Sequence, residues 1–382
     1  MVPSESSAQF YFGKNKVQYS QLDWRVLQTR HFHIYYYEGE DELAEVAASS
    51  IEESYRYLED KFDLPLEERV PLIVYSSPNY FDQTNIVPQL LPENVAGFTE
   101  FFKGRMVVPF DGSYHDFARV LRHELVHVFM YAKISRVSKD HKKIKVYSPP
   151  LWFTEGLAEF WSGEWDSQAD MVAGDLVLSG RMFDEVSIYG ISGTYLMYKM
   201  GESLLHYMAD TYGEDRILML FENWWKCGSF SDVAEYTFGE PLQEVFKGWQ
   251  YKLRKRYFPL VAETEQPAMV AEALTGRGYS VKPHLATLNL EGKDDPGEYL
   301  IYKANKLGYS GIYMQELNGD EDTETLVKGE RSPQFESLHL LDSDISVNRR
   351  GNLVFASRNY ERDVLYTYDI REREITKKYE FG

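Results

Sequence analysis

Apolar residues recur at spacings of three and four through Leu43, Ala47, Ile51, Tyr55, Leu58 and Phe62, which predicts an amphipathic helix over about residues 41–63. Ahead of it, residues 17–37 carry short β-prone runs, the clearest being His31-Phe32-His33-Ile34-Tyr35-Tyr36-Tyr37. Behind it, Val70-Pro71-Leu72-Ile73-Val74-Tyr75 reads as a buried strand ended by Ser76-Ser77-Pro78-Asn79. A Pro- and Asn-containing loop runs to about residue 94, and Phe98 to Phe110, broken at Lys103-Gly104, predicts a hairpin.

Helical periodicity then takes over. Ser113 and Asp116 have the spacing of a capping box, and Phe117, Val120, Leu121, Leu125 and Val128 give the following helix a broad apolar face. Trp152 to Trp161 is apolar and helix-compatible, and Tyr195 to Tyr212 predicts a helix stopped by Gly213. Asp215 to Trp225 and Leu242 to Tyr257 continue the pattern, the latter with Leu242, Phe246, Trp249, Leu253 and Tyr257 in register behind Pro241.

Residues 260–280 lose the periodicity, and the expected domains are 1–272 and 273–382. Short strands follow. Leu300-Ile301-Tyr302 and Ile312-Tyr313 match Leu353-Val354-Phe355 and Leu365-Tyr366 at an offset of 53 residues, and Leu317 matches Ile370 at the same offset. Each copy reads as strand, polar turn, strand and an acidic or Gly-containing turn, as in a propeller blade. Closed propellers have about four to eight blades, so two copies carry the expectation that the chain continues past Gly382.

A net charge of −19 argues against nucleic acid as a partner, since phosphate neutralisation needs a cationic face. Cys227 is the single cysteine, which excludes an intrachain disulfide and a Cys-ligated zinc cluster. No run of eighteen or more apolar residues is present to span a membrane. Met1 to Gln9 is polar and lacks the apolar stretch of a signal peptide, so the protein is either cytosolic or stripped of its signal, and Ser6-Ser7-Ala8-Gln9 is compatible with the latter. Lys133, Arg136, Lys139, Lys142, Lys143 and Lys145 against Asp140 form a basic run read as a solvated loop. His31 and His33 would share one strand face and are read as packed or solvated side chains.

The chemistry is concentrated in His123-Glu124-Leu125-Val126-His127. On a helix the two histidines fall on one face a turn apart and reach one metal ion, with Glu124 beside them to take a proton from a metal-activated water. A hydrolytic zinc takes three protein ligands. Glu155, in Trp152-Phe153-Thr154-Glu155-Gly156 and 28 residues past His127, is the candidate for the third. Glu159, four residues further on, is a carboxylate suited to orienting a ligating histidine, or else a solvated one.

These motifs resemble those of the gluzincin metallopeptidases, in particular the peptidase-MA-like group related to aminopeptidase N, over roughly residues 30–260. The resemblance implies an α+β, thermolysin-like domain holding one zinc per chain through His123, His127 and Glu155, with Glu124 as general base. It also implies a tyrosine or histidine on the oxyanion, Tyr198 being the candidate and Tyr195 its competitor. Gly97 and Phe98 correspond to the substrate strand of aminopeptidase N, without its Asn, and are expected to bind peptide backbone rather than a free amino terminus. The loop between His127 and Glu155 is longer than in that family. Ile345-Ser346-Val347 leading into Gly351-Asn352-Leu353-Val354-Phe355-Ala356-Ser357 resembles a TolB-type propeller blade. Large bacterial proteins joining such domains are generally exported, which favours an extracytoplasmic location. The expected function is peptide-bond hydrolysis, with a protein partner for the propeller. A rival is a propeller-based binding protein whose metal domain is structural or inactive, and a third reading is hydrolysis of a non-peptide ester or amide.

Overall fold

The computed structural model describes residues 21–87, 95–100, 103–143, 147–262, 264–265, 267–276, 279–290, 296–306, 308–317, 323–341, 343–360 and 362–380. The polar run 1–9, residues 17–20, Lys145 and the acidic turn after Leu317 lie outside them. The fold is α+β, with separate sheets. It divides into two compact units, Met1–Gln266 and Pro267–Gly382.

In the first unit, β1 (Trp24–Gln28), β2 (Phe32–Tyr37), β3 (Val70–Tyr75), β4 (Phe98–Glu100) and β5 (Arg105–Pro109) form one sheet in the order β1-β2-β3-β5-β4. The central pairs β2/β3 and β3/β5 are parallel, and the outer pairs β1/β2 and β4/β5 antiparallel. Parallel strands covered on both faces read as continuous apolar runs, which is why 70–75 alternates so little. Phe32, Ile34, Leu72, Val74, Met106 and Val108 face the helices, whereas Tyr37, Ile73, Tyr75 and Val107 pack on the other side with Phe81 of the short α2 (Pro78–Phe81).

Helix α1 (Asp41–Phe62) buries the six residues that predict it and ends at Asp63, whose backbone is left-handed at φ 45°. Against it packs α3 (Tyr114–Asp140), 27 residues and about 40 Å long. Ser113 Oγ accepts from Asp116 N–H at 3.2 Å, but Ser113 N–H goes to Asp111 at 2.9 Å, so only half of the capping box forms. The basic run is corrected by this helix: Lys133 to Asp140 is helical, because Ile134 and Val137 continue the buried stripe of Phe129 and Met130. Lys133 is buried against Glu222, and Arg136 reaches Glu67 at 3.0 Å and Asp140 at 2.9 Å.

Helices α4 (Leu151–Ser162), α5 (Ser167–Leu178), α6 (Tyr195–Tyr212), α7 (Asp215–Asn223), α8 (Phe230–Phe238) and α9 (Leu242–Val261) complete the unit. Two of them escape the periodicity reading. Helix α5 rests on Asp166, which caps Ala169 N–H at 2.7 Å, and α8 on Ser229, which caps Asp232 N–H at 3.2 Å. Pro241 sits at the N-cap of α9 rather than in its first turn. Among the described residues no helix is long and apolar enough to cross a membrane.

The second unit opens with the short α10 (Pro267–Val270) and consists of two four-stranded antiparallel sheets in sequential order. One is β6 (Tyr279–Leu288), β7 (Gly297–Lys306), β8 (Tyr309–Glu316) and β9 (Thr323–Lys328); the other is β10 (Ile345–Val347), β11 (Asn352–Asn359), β12 (Arg362–Asp369) and β13 (Glu374–Glu380). The 53-residue repeat is kept in the pairing: Leu300 faces Gln315 as Leu353 faces Tyr368, and Lys306 faces Tyr309 as Asn359 faces Arg362. Even the closing bonds correspond, Leu317 N–H to Glu298 O and Ile370 N–H to Gly351 O, both 2.9 Å. The outer strand does not keep the offset, since Leu285 pairs with Leu300 but Val347 with Leu353. Ile301, Ile312 and Met314 share one core with Leu353, Phe355 and Tyr366. Buried Lys303 extends from β7 to Leu338 O at 2.7 Å and Ser343 O at 2.9 Å.

Candidate metal centre

His123 and His127 lie one turn apart on α3, buried beneath α4. From α4, Glu155 Oε2 reaches Nε2 of His123 at 3.3 Å and Nε2 of His127 at 3.4 Å. The three ligand atoms lie within 4.8 Å of one another and can hold a metal ion. His31, by contrast, is taken up by Glu52, 2.6 Å from its Nδ1, and stacks on Tyr55.

The other nitrogen of His123 is fixed as well. Glu159, one turn past Glu155, brings Oε1 to 3.0 Å from His123 Nδ1. Its Oε2 accepts from Lys199 Nζ of α6 at 2.6 Å, and Lys199 also reaches Glu202 at 3.1 Å. Arg119 of α3 adds a 3.4 Å contact to Glu159 Oε1. The Glu159 side chain is only 9% exposed, which removes the solvated alternative and leaves its carboxylate beside His123. His127 Nδ1 is buried and has no hydrogen-bond partner among the described residues.

Opposite charges so close move the titrations. Burial pushes the Glu155 carboxyl up, but the His127 and His123 imidazoles outweigh it and bring its pKa down to about 2. Burial pushes His123 down, yet Glu155 and Glu159, with Glu124 behind them, raise it to about 10. Glu159 is held far below the usual carboxylate range, against burial, by His123 and Lys199. Lys199 is raised, because Glu159 and Glu202 exceed the effect of burial.

Glu124 faces the sheet edge. Thr99 Oγ1 lies 2.8 Å from Glu124 Oε2 and 3.0 Å from its carbonyl oxygen. Gly97, two residues earlier on the same face, comes so close that a Cβ there would stand 3.0 Å from Val120 Cγ1 and 3.3 Å from Glu124 Cγ. A side chain at 97 would require Val120 or Glu124 to give way by a few tenths of an ångström. Strand alternation turns Phe98 the other way, where it packs on Phe81 with ring centroids 5.7 Å apart. Of the two expected substrate residues, Gly97 therefore borders the centre, and Phe98 offers it backbone only. Glu100, on the Phe98 side, is bound to Arg105 at 3.0 Å.

The Tyr198 ring lies 6.2 Å from that of His123, and burial, then Glu155 and Glu124, push its hydroxyl above the ordinary tyrosine range. Tyr195 is exposed and stands beside Lys199 instead. Tyr131, half-buried one turn past His127, is also raised by burial and by Glu155 and Glu124. Tyr131, Thr99, Arg119, Lys199 and Glu202 were not singled out by sequence reasoning. A buried glutamate and lysine three apart in an apolar helix was the available signal for the last two.

No protein-family model matches the chain, and no curated protein matches it.

Proposed function

We propose that this protein is a zinc-dependent peptidase of the gluzincin kind. The reading is carried by the convergence of His123 Nε2, His127 Nε2 and Glu155 Oε2, with the carboxylate oxygen 3.3 and 3.4 Å from the two nitrogens. Zinc bonds of roughly 2.0–2.1 Å in a tetrahedron separate neighbouring ligand atoms by about 3.3 Å, which the two carboxylate–imidazole spacings match, and two imidazoles with one carboxylate suit that ion chemically. Zinc bound there supplies an acidified water and a polarised scissile carbonyl.

The chain's own groups do the rest. Glu124 takes the proton from the attacking water and returns it to the leaving amine. Tyr198 donates a hydrogen bond to the developing oxyanion. Strand β4 pairs with β5 alone among the described strands, and its outer edge receives an extended peptide by backbone pairing, next to Gly97. Engagement of Glu100 by Arg105 supports binding of internal peptide backbone over capture of a free amino terminus. The two repeated sheets act in this reading as TolB-type propeller blades that recruit a protein partner, in an extracytoplasmic protein.

Metal analysis of protein prepared without added zinc, combined with a peptide-library digest, tests the proposal. One zinc per chain together with cleavage is expected. Stoichiometric zinc with no cleavage would instead favour a partner-binding protein whose metal is structural.

A further inference from the structure

We infer that Lys199 is a positioning residue of the metal centre, acting through Glu159 to keep His123 Nε2 aimed at the ion. The inference rests on reading His123, His127 and Glu155 as ligands. Lys199 comes from α6, while the ligands come from α3 and α4. Its ammonium group is buried, 2.6 Å from Glu159 Oε2 and 3.1 Å from Glu202 Oε2, and Glu202 is 1% exposed. Taking such charges out of water is costly, and apolar residues of similar volume commonly serve stability as well or better. Packing alone thus gives no reason for a lysine at this position.

The metal centre gives one. A histidine that ligates through Nε2 is neutral and donates from Nδ1 to an outer partner, here Glu159. Glu159 and Glu202 then amount to two negative charges, matched by Arg119 and Lys199. His206, also on α6, has Nε2 3.9 Å from Glu202 Oε1. Lys199 also divides the labour between the two oxygens of Glu159. It occupies Oε2 and so leaves Oε1 to His123, with Arg119 at the longer distance of 3.4 Å on the same oxygen. Without Lys199 the carboxylate is held from one side only, and its plane and the imidazole it steers are free to turn.

The test is a double-mutant cycle read by zinc affinity in chelator competition and by the visible spectrum of the cobalt-substituted protein. Lys199→Met should weaken zinc binding about 10- to 100-fold and shift the cobalt bands, as loss of an outer partner does. Lys199→Arg should recover most of the affinity. Glu159→Gln should cause a comparable loss, and Lys199→Met on top of it should add little, because the lysine acts through that carboxylate. Lys199→Met/Glu202→Gln removes the cation with its second anion, and its metal-free unfolding temperature checks that the fold survives. Wild-type zinc affinity in Lys199→Met, or additive losses in the cycle, overturns the inference. A wild-type protein that takes zinc, obeys the cycle and cleaves no peptide upholds the inference and removes the peptidase reading. A wild-type protein that takes no zinc overturns both.

Discussion

Gly156 and Gly201 meet backbone to backbone where α4 packs on α6. A Cβ on Gly156 would stand 2.4 Å from the carbonyl carbon of Gly201, and one on Gly201 would stand 2.2 Å from the carbonyl oxygen of Trp152. Glu155 precedes one glycine, and Lys199 lies two residues before the other, so this contact sets the distance between the two halves of the centre. Alanine in place of a helical glycine is ordinarily worth about 1 kcal/mol of stability. Here backbone on both sides cannot yield, and overpacking of about 1–3 kcal/mol wins. Gly201→Ala should therefore lower the unfolding temperature and weaken zinc binding together. A temperature at or above that of the wild type would show that the helices part without cost.

Glu124→Gln keeps the shape of the side chain and removes the carboxylate proposed as the base. It should retain about one zinc per chain while peptide hydrolysis falls by roughly 10²–10⁴-fold. Unchanged turnover would take Glu124 out of the mechanism.

Thr99 has a single hydroxyl proton to offer Glu124, whose Oε2 is 2.8 Å away. Thr99→Val preserves volume and deletes that bond. We expect kcat to fall about tenfold, ~1.4 kcal/mol at the transition state, with little change in KM, and Thr99→Ser to restore it. A loss confined to KM would assign Thr99 to substrate binding.

Protonation of the metal-free centre has a definite sign. His123 rises from 6.5 to about 10 on folding, so its contribution to stability is complete below pH 6.5 and disappears as pH climbs through 10. Glu155 falls from 4.5 to about 2, so its contribution is complete above pH 4.5 and disappears as pH drops through 2. Chelator-treated protein should then lose thermal stability between pH 6.5 and 10, measured by calorimetry. His123→Gln should flatten that alkaline slope; an unaltered slope would place its origin elsewhere. Zinc must displace the His123 proton, so binding near pH 7 should release protons, detectable by titration calorimetry in buffers of different ionisation enthalpy.

In the second unit, Lys303→Met would strand the buried carbonyl of Leu338 and the part-buried one of Ser343. A loss of about 3 kcal/mol is expected, seen as faster amide exchange across the strands between Tyr279 and Glu380. Tryptophan fluorescence follows Met1–Gln266 alone, because all seven tryptophans lie at or before Trp249. Unchanged exchange would make Lys303 a bystander.

What was legible in the chain is what local spacing encodes. His123 and His127 are a turn apart, and so are Glu155 and Glu159, so each helix carries its pair wherever it packs. The helix over Leu43 to Phe62 and the hairpin around Lys103-Gly104 follow for the same reason. Lys199 reaches Glu159 across 40 residues, Thr99 reaches Glu124 across 25, and Arg119 reaches Glu159 across another 40, none of them at a period a sequence can show. In the basic run the charges hide Ile134 and Val137, whose burial keeps the helix going.

The two sheets of the second unit agree in register from Tyr299↔Glu316 to Lys306↔Tyr309 and from Asn352↔Asp369 to Asn359↔Arg362. Between those limits the two hairpins have the same number of residues between every pair of facing positions. A hairpin excised from one copy and grafted into the other would arrive with each side chain on its original face. The outer strands, freed from that constraint, are where the copies have room to diverge.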